Sequence, residues 1–291
     1  MANALVTADA FEEYRGHLRA VAYRMLGSLA EADDAVQETW LRYSGADLGE
    51  VRNLGGWLTT VAGRVCLNML RSRAARREQP METYVPDPVV SPLDHVDPER
   101  EALLADSVGL ALLVVLDTLE PAERLAFVLH DMFAVPFDDI APVVERTPAA
   151  TRQLASRARR RVQGAVPAPE PDLARQRTVL EAFLAASRGG DFEALVAVLH
   201  PDVVLRADAG AALSKLVRGA AGVVEQAKMF RQLSHDEVLV RVNDGVGAVA
   251  MTGGRVFSLM AVTVVDGLIT EIDIVADPER LARLGVPAQV G

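Results

Sequence analysis

Hydrophobic side chains recur every three or four residues over most of the first 163 positions, which is the spacing of amphipathic α-helices. Asp9 with Glu12, and Ser28 with Glu31, form capping-box patterns that predict the starts of the first two helices. A third helix is predicted to begin near Leu54 and to run through WLTTVAGRVCLNMLRSRAARRE. The apolar face of the second helix is predicted to include Val36, Trp40 and Leu41. This part of the chain is therefore expected to be all-α.

Two proline-rich stretches divide the chain. Residues 80–98, PMETYVPDPVVSPLDHVDP, contain five prolines and no helical period. The second stretch is VPAPEPD at residues 166–172. We therefore predict domains at residues 1–79, 99–165 and 166–291, with the first stretch as an acidic linker.

A second helical block lies between the two breaks. The pattern predicts helices over residues 99–118, after Pro121 and after Pro136. Thr147 and Pro148 supply a cap and a first-turn proline for a last helix, TPAATRQLASRARRRV. The short joint VVERT between the last two helices is typical of a helix-turn-helix. The predicted packing face of the last helix consists of Ala150, Leu154, Ala158 and Val162.

The remainder of the chain changes to a mixed pattern. Helices are predicted near residues 173–188, 191–199 and 220–233, with a strand VVLRAD before the third. Four β-rich runs then follow, EVLVRVN, GAVAMT, RVFSLMAVTVV and LITEIDIVA. The dipeptides Asp244-Gly245 and Asp266-Gly267 between them are typical of hairpin turns. The predicted fold is thus multidomain, with two all-α domains followed by an α+β cone, a curved sheet wrapped around a helix.

Charge is unevenly distributed along this acidic chain, whose formal net charge is −10. Residues 64–77 hold five arginines and no acidic residue, and residues 124–163 hold seven basic and four acidic residues. Residues 78–123, by contrast, hold eleven acidic residues and one basic residue. The last helix of the helix-turn-helix is therefore predicted to present donors to base edges and phosphates, the alternative being a solvated arginine-rich helix.

Composition excludes several other classes of protein. Cys66 is the only cysteine, so no internal disulfide is possible, and a reducing cytoplasm is expected. The five histidines are scattered, and neither a metal nor a cofactor is predicted. The sequence has no apolar run of the roughly 18 to 20 residues that a membrane helix needs, and no secretory signal pattern.

The acidic stretch EADDAVQETW, residues 31–40, places carboxylates and an amide on one helix face, because positions three and four apart are neighbours. Such a face is either solvated or a docking surface for a basic partner. The aromatic Trp57 near the first arginine cluster suits single-stranded DNA, although a basic helix end favoured by the helix dipole explains that cluster equally well.

Three stretches, in order, resemble an extracytoplasmic-function sigma factor over about residues 5–163. They are LGSLAEADDAVQETWLRY, WLTTVAGRVCLNMLRSRAARRE and LEPAERLAFVLHDMFAVPFDDIAPVVERTPAATRQLASRARRRV. The resemblance implies that the first two form sigma region two and the third forms region four. It also implies promoter DNA and RNA polymerase core, through the β′ clamp helices and the β flap, as partners, with an anti-sigma factor possible but not required.

The resemblance also implies roles for individual residues. Those implied to dock on core polymerase are Asp33, Asp34, Gln37 and Glu38. Those implied to meet the opened −10 element are Arg64, Asn68 and Arg71. Those implied to meet the −35 duplex are Arg152, Gln153, Ser156, Arg157 and Arg160.

The tail of about 120 residues is similar to a SnoaL-like domain, and sigma factors that end this way carry a fused regulator. In that subgroup a tyrosine- and proline-rich motif marks the linker and a glycine-rich motif marks the tail. Here the linker reads TYVPDPVVSP, without the usual tryptophan, and the tail reads RADAGAALSKLVRG. The implied interdomain residues are Tyr84, Pro86, Asp208, Gly210 and Lys215. We also predict that the acidic linker and the tail hold the basic segments away from DNA in the free protein.

Two other functions remain open. One is a SnoaL-type isomerase or cyclase that carries a DNA-binding module, and the other is a ligand-responsive one-component regulator. An enzyme needs an acid or base that faces a pocket, for which Asp208, His235 and Asp273 are candidates. His200 is more simply a histidine near a helix end. No catalytic residue is assigned, and a buried carboxylate lining a cavity in the tail would favour the enzyme.

Overall fold

The computed structural model describes residues 8–49, 51–75, 82–93, 108–165, 169–210, 213–231 and 236–286. The chain divides into two compact units. The first unit combines residues 1–79 with 112–166, and the second combines residues 80–111 with 167–291. The segment that includes the proline-rich linker thus belongs to the same compact unit as the tail.

Helices build the first unit. Their bounds are α1 Ala8–Leu26, α2 Leu29–Ser44, α3 Leu54–Ala75, α4 Leu110–Asp117, α5 Pro121–Phe127, α6 Phe137–Val144 and α7 Pro148–Ala165. The helix predicted after Pro121 is interrupted, because a π-helical turn, Val128–Met132, follows α5. Of the helix predicted over residues 99–118, the first nine positions lie within a gap in the described residues.

An aromatic cluster forms the core between α1, α2 and α3. The ring of Phe11 meets Trp40 edge-on at 5.1 Å between centroids and lies 5.6 Å from Tyr43. Trp57 packs partly buried against the same core, with its ring 6.5 Å from Tyr43. The assignment of Leu41 to the apolar face is wrong, since it is 58% exposed.

The capping box predicted at the start of α2 is also wrong in detail. The helix begins at Leu29, as the pattern predicts, but the Ser28 side chain makes no capping hydrogen bond. Glu31 is instead ion-paired with Arg73 of α3, which donates from Nε at 3.1 Å. Here a tertiary partner replaces the local one.

Helix α3 also packs against α5 within this unit. Gly63 faces Leu125 and Leu129, and a Cβ atom at position 63 would lie 3.1 and 2.9 Å from their methyl carbons. The buried Arg124 of α5 donates from Nε and Nη2 to the carbonyl oxygen of Arg24 in α1, at 3.2 and 3.1 Å. The same guanidinium is paired with Asp117 of α4. One buried cation therefore satisfies acceptors from two other helices.

The second unit is an α+β cone, which confirms the predicted fold class. Its helices are α8 Leu173–Gly189, α9 Phe192–Val198, α10 Ala220–Phe230 and α11 Pro278–Arg283. Its strands are β1 Val90–Pro92, β2 Leu199–Asp208, β3 Lys215–Arg218, β4 Asp236–Val242, β5 Gly245–Thr252, β6 Arg255–Val265 and β7 Leu268–Val275. The strand order is β1-β4-β5-β6-β7-β2-β3, and of these neighbours only β2 and β7 run parallel.

Turn chemistry sets the register of the meander. Asp266 and Gly267 both have positive φ, as the predicted hairpin requires. The other predicted turn is displaced by one residue, because Val242 pairs with Gly245 and leaves Asn243-Asp244 as the loop. Asn243, rather than a glycine, takes the left-handed conformation there, with φ of 53°.

The core of the cone lies between α8, α10 and the concave side of the sheet. Buried leucine, isoleucine, valine and phenylalanine side chains from helices and strands form one continuous cluster. Register shifts in β2, β5–β6 and β6–β7 mark irregularities of the kind that bend a sheet. Helix α11 and strands β1 and β3 were not predicted from the sequence.

Candidate nucleic-acid interface and linker anchor

The turn between α6 and α7 has the geometry of a helix-turn-helix. Glu145 takes the left-handed conformation, φ 57° and ψ 46°, at the position where glycine is most common. Thr147 then caps α7, since its Oγ1 accepts from the Ala150 amide at 3.2 Å. The predicted cap is therefore confirmed.

The packing face of α7 differs from the predicted one. The buried residues are Thr151, Ala155 and Ala158, whereas Leu154 and Val162 are only half-buried. The reason is that α7 packs against both α5 and α6, and two alanines allow this close approach. Of the predicted face, only Ala158 lies in the core.

The residues implied to meet the −35 duplex fall into two groups. Arg152, Gln153 and Arg160 are exposed, with the Arg152 guanidinium 5.2 Å from the centroid of the Phe137 ring. Ser156 is half-buried, and Arg157 donates from Nε to Glu123 at 2.7 Å. The first group thus leaves its donors toward solvent, while Arg157 is engaged within the protein.

Internal ion pairs bind further arginines of α7. Arg161 donates to the second carboxylate oxygen of Glu123 at 2.9 Å, and Arg159 is paired with Asp131. Because the Glu123 side chain is almost fully buried, it orients the helix from beneath. The arginine-rich composition of α7 therefore serves packing as well as any external contact.

The residues implied to meet the −10 element share one exposed face of α3. Arg64, Asn68 and Arg71 follow one another at spacings of four and three, and all three are exposed. Arg71 also lies 3.9 Å from Glu145, the residue that follows α6. Arg73, from the same basic segment, is committed to its pair with Glu31, and its neighbours at positions 76 and 77 lie outside the described residues.

The acidic face of α2 is partly occupied by the protein's own arginines. Asp33 accepts from Arg19 of α1 at 2.6 Å, and Glu38 accepts from Arg42 at 3.0 Å. Asp34 and Gln37 are exposed on the same helix.

In the second unit, Arg280 of α11 holds residues 82–93, which we call the linker segment. Its Nη2 donates to the carbonyl oxygen of Val85 at 2.7 Å and to Asp87 Oδ1 at 2.6 Å, and its Nη1 donates to Asp208 Oδ2. The guanidinium also lies 5.1 Å from the centroid of the Tyr84 ring. We call these five residues the linker anchor. Tyr84 and Asp208 were predicted from the sequence, whereas Arg280 was not, because no local pattern around position 280 indicates this contact.

Burial and neighbouring charge at the linker anchor act in opposite directions on the pKa of Arg280. Burial alone would lower the pKa of Arg280, but the facing carboxylates of Asp87 and Asp208 outweigh it, so that the pKa is raised. The guanidinium therefore stays charged. Asp208 also accepts, at 3.5 Å, from the amide of Val85.

The other implied interdomain residues have separate places. Pro86 is buried within the linker segment, and Gly210 adopts a positive φ of 83° in the turn after β2. Lys215 begins β3 and lines a cavity inside the cone rather than the linker anchor.

A second contact fixes the linker segment to the sheet edge. Strand β1 pairs with β4. At the end of this pair, Asn243 both accepts a hydrogen bond from Val89 and donates one to it. The side-chain Oδ1 of Asn243 accepts from the backbone amide of Val89 at 2.9 Å, and the backbone amide of Asn243 donates to the Val89 carbonyl oxygen at 2.8 Å. The linker segment is therefore held by backbone pairing at one end and by charge at the other.

The acids considered for catalysis do not converge on the cavity. Its strand lining includes Ile272 and Ile274, so Asp273 between them points to the other side of β7. There Arg206 Nη1 donates to Asp273 at 3.0 Å. Burial raises the pKa of Asp273 to about 6 despite the opposing charge of Arg206. Asp208 belongs to the linker anchor, and His235 lies outside the described residues.

A carboxylate that sequence analysis did not consider does line the cavity. The side chain of Glu237 on β4 is 7% exposed and accepts from Arg188 of α8. Because side chains alternate along EVLVRVN, Glu237 must lie on one of the two faces of β4. Only the tertiary structure decides that this face is the one that lines the cavity.

None of the helices within the described residues is long and apolar enough to cross a bilayer. Among the same residues, no group of three or more histidine, cysteine, aspartate or glutamate side chains could hold a metal ion.

Comparison with known families defines the class of protein that this fold and these surfaces represent. Residues 10–76 match Sigma-70 region 2, and residues 109–162 match Sigma-70 region 4. The chain belongs to the ECF RNA polymerase sigma factors, which confirms the family resemblance. Its function is that of an alternative sigma factor, with RNA polymerase and promoter DNA as partners.

Particular relatives cover nearly the whole chain. It is 38% identical to the ECF RNA polymerase sigma factor SigJ of Mycobacterium tuberculosis (strain ATCC 25618 / H37Rv), over 93% of this chain and 91% of that protein. It is 33% identical to the probable ECF RNA polymerase sigma factor SigI of M. tuberculosis (strain CDC 1551 / Oshkosh), over 94% of each chain. The crystal structure of M. tuberculosis SigJ matches with a TM-score of 0.76 and 36% identity, covering 94% of this chain and 98% of that chain. The likeness thus includes the cone as well as the helical unit.

Proposed function

We propose that this sigma factor reads the −35 element with the exposed face of α7 and the opened −10 element with α3. The observation that carries the proposal is the capped helix-turn-helix, from which Arg152, Gln153 and Arg160 project to solvent. An arginine that reaches guanine bidentately discriminates by about 1–3 kcal/mol. The acidic face of α2, with Asp34 and Gln37 exposed, is the proposed docking surface for the β′ clamp helices.

The test is transcription by core RNA polymerase from a library of genomic fragments. Arg152→Ala and Arg160→Ala are each expected to reduce defined transcripts by about 5- to 150-fold, the range that 1–3 kcal/mol represents. Arg255→Ala, at an exposed position in the β5–β6 turn region, is the matched control and should transcribe normally. The complete absence of defined transcripts with the unmodified protein would refute the proposal.

We further propose that the helical unit opens before it engages a promoter. The two promoter elements lie about 25 base pairs apart, or about 85 Å of B-DNA. In the free protein the Gly63 contact holds α3 against α5, and Arg124 ties α5 to the carbonyl oxygen of Arg24 in α1. Because α7 in turn packs on α5 and α6, the packing of α3 against α5 and α6 keeps the two DNA readers too close to contact both elements at once.

The linker anchor supports regulation in cis. We propose that the cone, by holding the linker segment, limits how far the two DNA readers can separate. The acidic charge of residues 78–123 adds repulsion toward DNA. Salt-dependent DNA binding should then be weaker for the full chain than for a chain that ends near residue 165, and equal affinities would contradict this hypothesis.

This regulation needs binding and no chemical step, and an anti-sigma factor is not required for it. We place its action in the cytoplasm, where the polymerase works.

Glu237 is the observation that favours a second candidate, a reaction inside the cone. That candidate is tested by mass spectrometry of small molecules recovered from the protein after incubation, where an unchanged molecule argues for binding alone.

A further inference from the structure

A cavity of about 400 Å³ lies inside the cone, between α8, α10 and the concave side of β2 and β5–β7. Alternation along the strands brings small side chains to its wall, namely Ala207, Ala248, Ala250 and Ala276. Elsewhere on this side of the sheet, leucine, isoleucine and valine fill the core. Since protein interiors are otherwise densely packed, the alanines leave room for a guest molecule.

The lining suggests the chemistry of that guest. Phe230 and Phe257, with ring centroids 5.7 Å apart, provide aromatic surface, and the lining residue Met229 is 50% exposed. Lys215 adds a positive charge, whereas Arg188 neutralises the charge of Glu237. A planar, mainly apolar molecule with an anionic group at one edge fits this combination of groups.

The cavity wall is continuous with the linker anchor. Ala207 lines the cavity, and the next residue, Asp208, binds Arg280. Ala276 also lines the cavity, and its amide donates to the Asp208 carbonyl oxygen at 2.8 Å. The residue after it, Asp277, caps α11, from which Arg280 projects. A guest that orders this wall therefore orders the residues that hold the linker segment.

We propose that the cone binds a small, planar, mainly apolar organic anion and that this binding tightens the hold on the linker segment. The binding itself is independent of the proposed function. The regulatory consequence rests on the proposed cis regulation by the linker anchor.

Binding is tested on the full chain with the fluorescent probe 1-anilinonaphthalene-8-sulfonate, a mainly apolar anion that carries its sulfonate at the edge of a planar naphthalene. The folded protein is expected to bind it with one site per chain. Ala250→Phe and Ala248→Leu fill the cavity, and each should weaken the affinity at least tenfold. Ala185→Leu, at an exposed position of α8, is the matched control and should leave the affinity unchanged.

Lys215→Glu tests the charge without altering the core, because Lys215 is exposed. It should weaken probe binding several-fold even if the filling variants fail to fold. Absence of saturable binding, or affinities unchanged in Lys215→Glu and in any folded filling variant, overturns the proposal. A stable dimer at micromolar concentration that excludes the probe also overturns it, because a second copy would then be the occupant.

Coupling is measured by hydrogen exchange over residues 82–93 with and without the probe. Slower exchange of the Val85 amide on binding, absent in Ala250→Phe, supports the coupling, and unchanged exchange refutes it. Neither readout involves transcription. A failure of this proposal is therefore distinguishable from a failure of the proposed promoter and polymerase contacts.

Discussion

Replacement of Arg280 by methionine should release the linker segment from the cone. The change keeps an unbranched side chain but removes the hydrogen bonds that Arg280 donates to Val85, Asp87 and Asp208. The carboxylates of Asp87 and Asp208 are 15% and 13% exposed, so the variant leaves two poorly solvated negative charges without the cation that they share.

The magnitude follows from that burial. Removing one partner of a buried ion pair costs about 3–5 kcal/mol. Because the Arg280 side chain is itself 12% exposed rather than fully buried, we expect about 3 kcal/mol at this site. This corresponds to about a 150-fold larger population of the released linker segment.

Hydrogen exchange of the Val85 amide in the full chain measures this release. The expected result is exchange about 150-fold faster in Arg280→Met, and wild-type exchange in the control Arg283→Met, an exposed position of the same helix. Adding Asp208→Asn to the first variant should recover part of the protection, because it removes one of the two carboxylate charges that have lost Arg280. Wild-type exchange in Arg280→Met would refute the assigned role of Arg280 in holding the linker segment.

Three further predictions concern other parts of the molecule. For Asp273, a pKa raised from 3.8 to about 6 means that the folded protein holds the proton more tightly than the unfolded chain, so its contribution to stability is lost as pH rises from about 4 to 6. Urea unfolding should therefore show Asp273→Asn gaining up to about 3 kcal/mol relative to wild type between pH 4 and 7, and a pH-independent difference would contradict this. Gly63→Leu should overpack the α3–α5 contact and lower the free energy of unfolding by about 1–3 kcal/mol. It should also increase the radius of gyration of the free protein in small-angle scattering, and an unchanged radius would count against the opening proposal. Asp34→Arg should weaken binding to core polymerase about tenfold in a titration, while Asp202→Arg, on the exposed surface of the cone, should not; equal effects would remove α2 from the docking surface.

Much of the helical unit could be predicted because its signals are local. Thr147 and Pro148 start α7 through contacts within one turn, and the apolar period reports which side of a helix is buried. The packing face of α7 was nevertheless misplaced, because α5 approaches it from a direction that the period alone does not define. Leu41 is exposed for the same reason. Hydrophobic residues lie on adjacent faces of α2, and the sequence alone does not show which of these faces packs against another helix.

By itself, the sequence determined the helices other than α11, the strands of the meander and the family to which the chain belongs. Caps, turns such as Asp266-Gly267 and side-chain periodicity act over a few residues, so their energies are present in any local segment. Only the tertiary structure decided which face of β7 carries Asp273, where Glu237 finds Arg188, and how the linker segment is held. Arg280 lies 193 residues from Asp87, and no local pattern encodes a contact that exists only after β1, β2 and α11 have assembled.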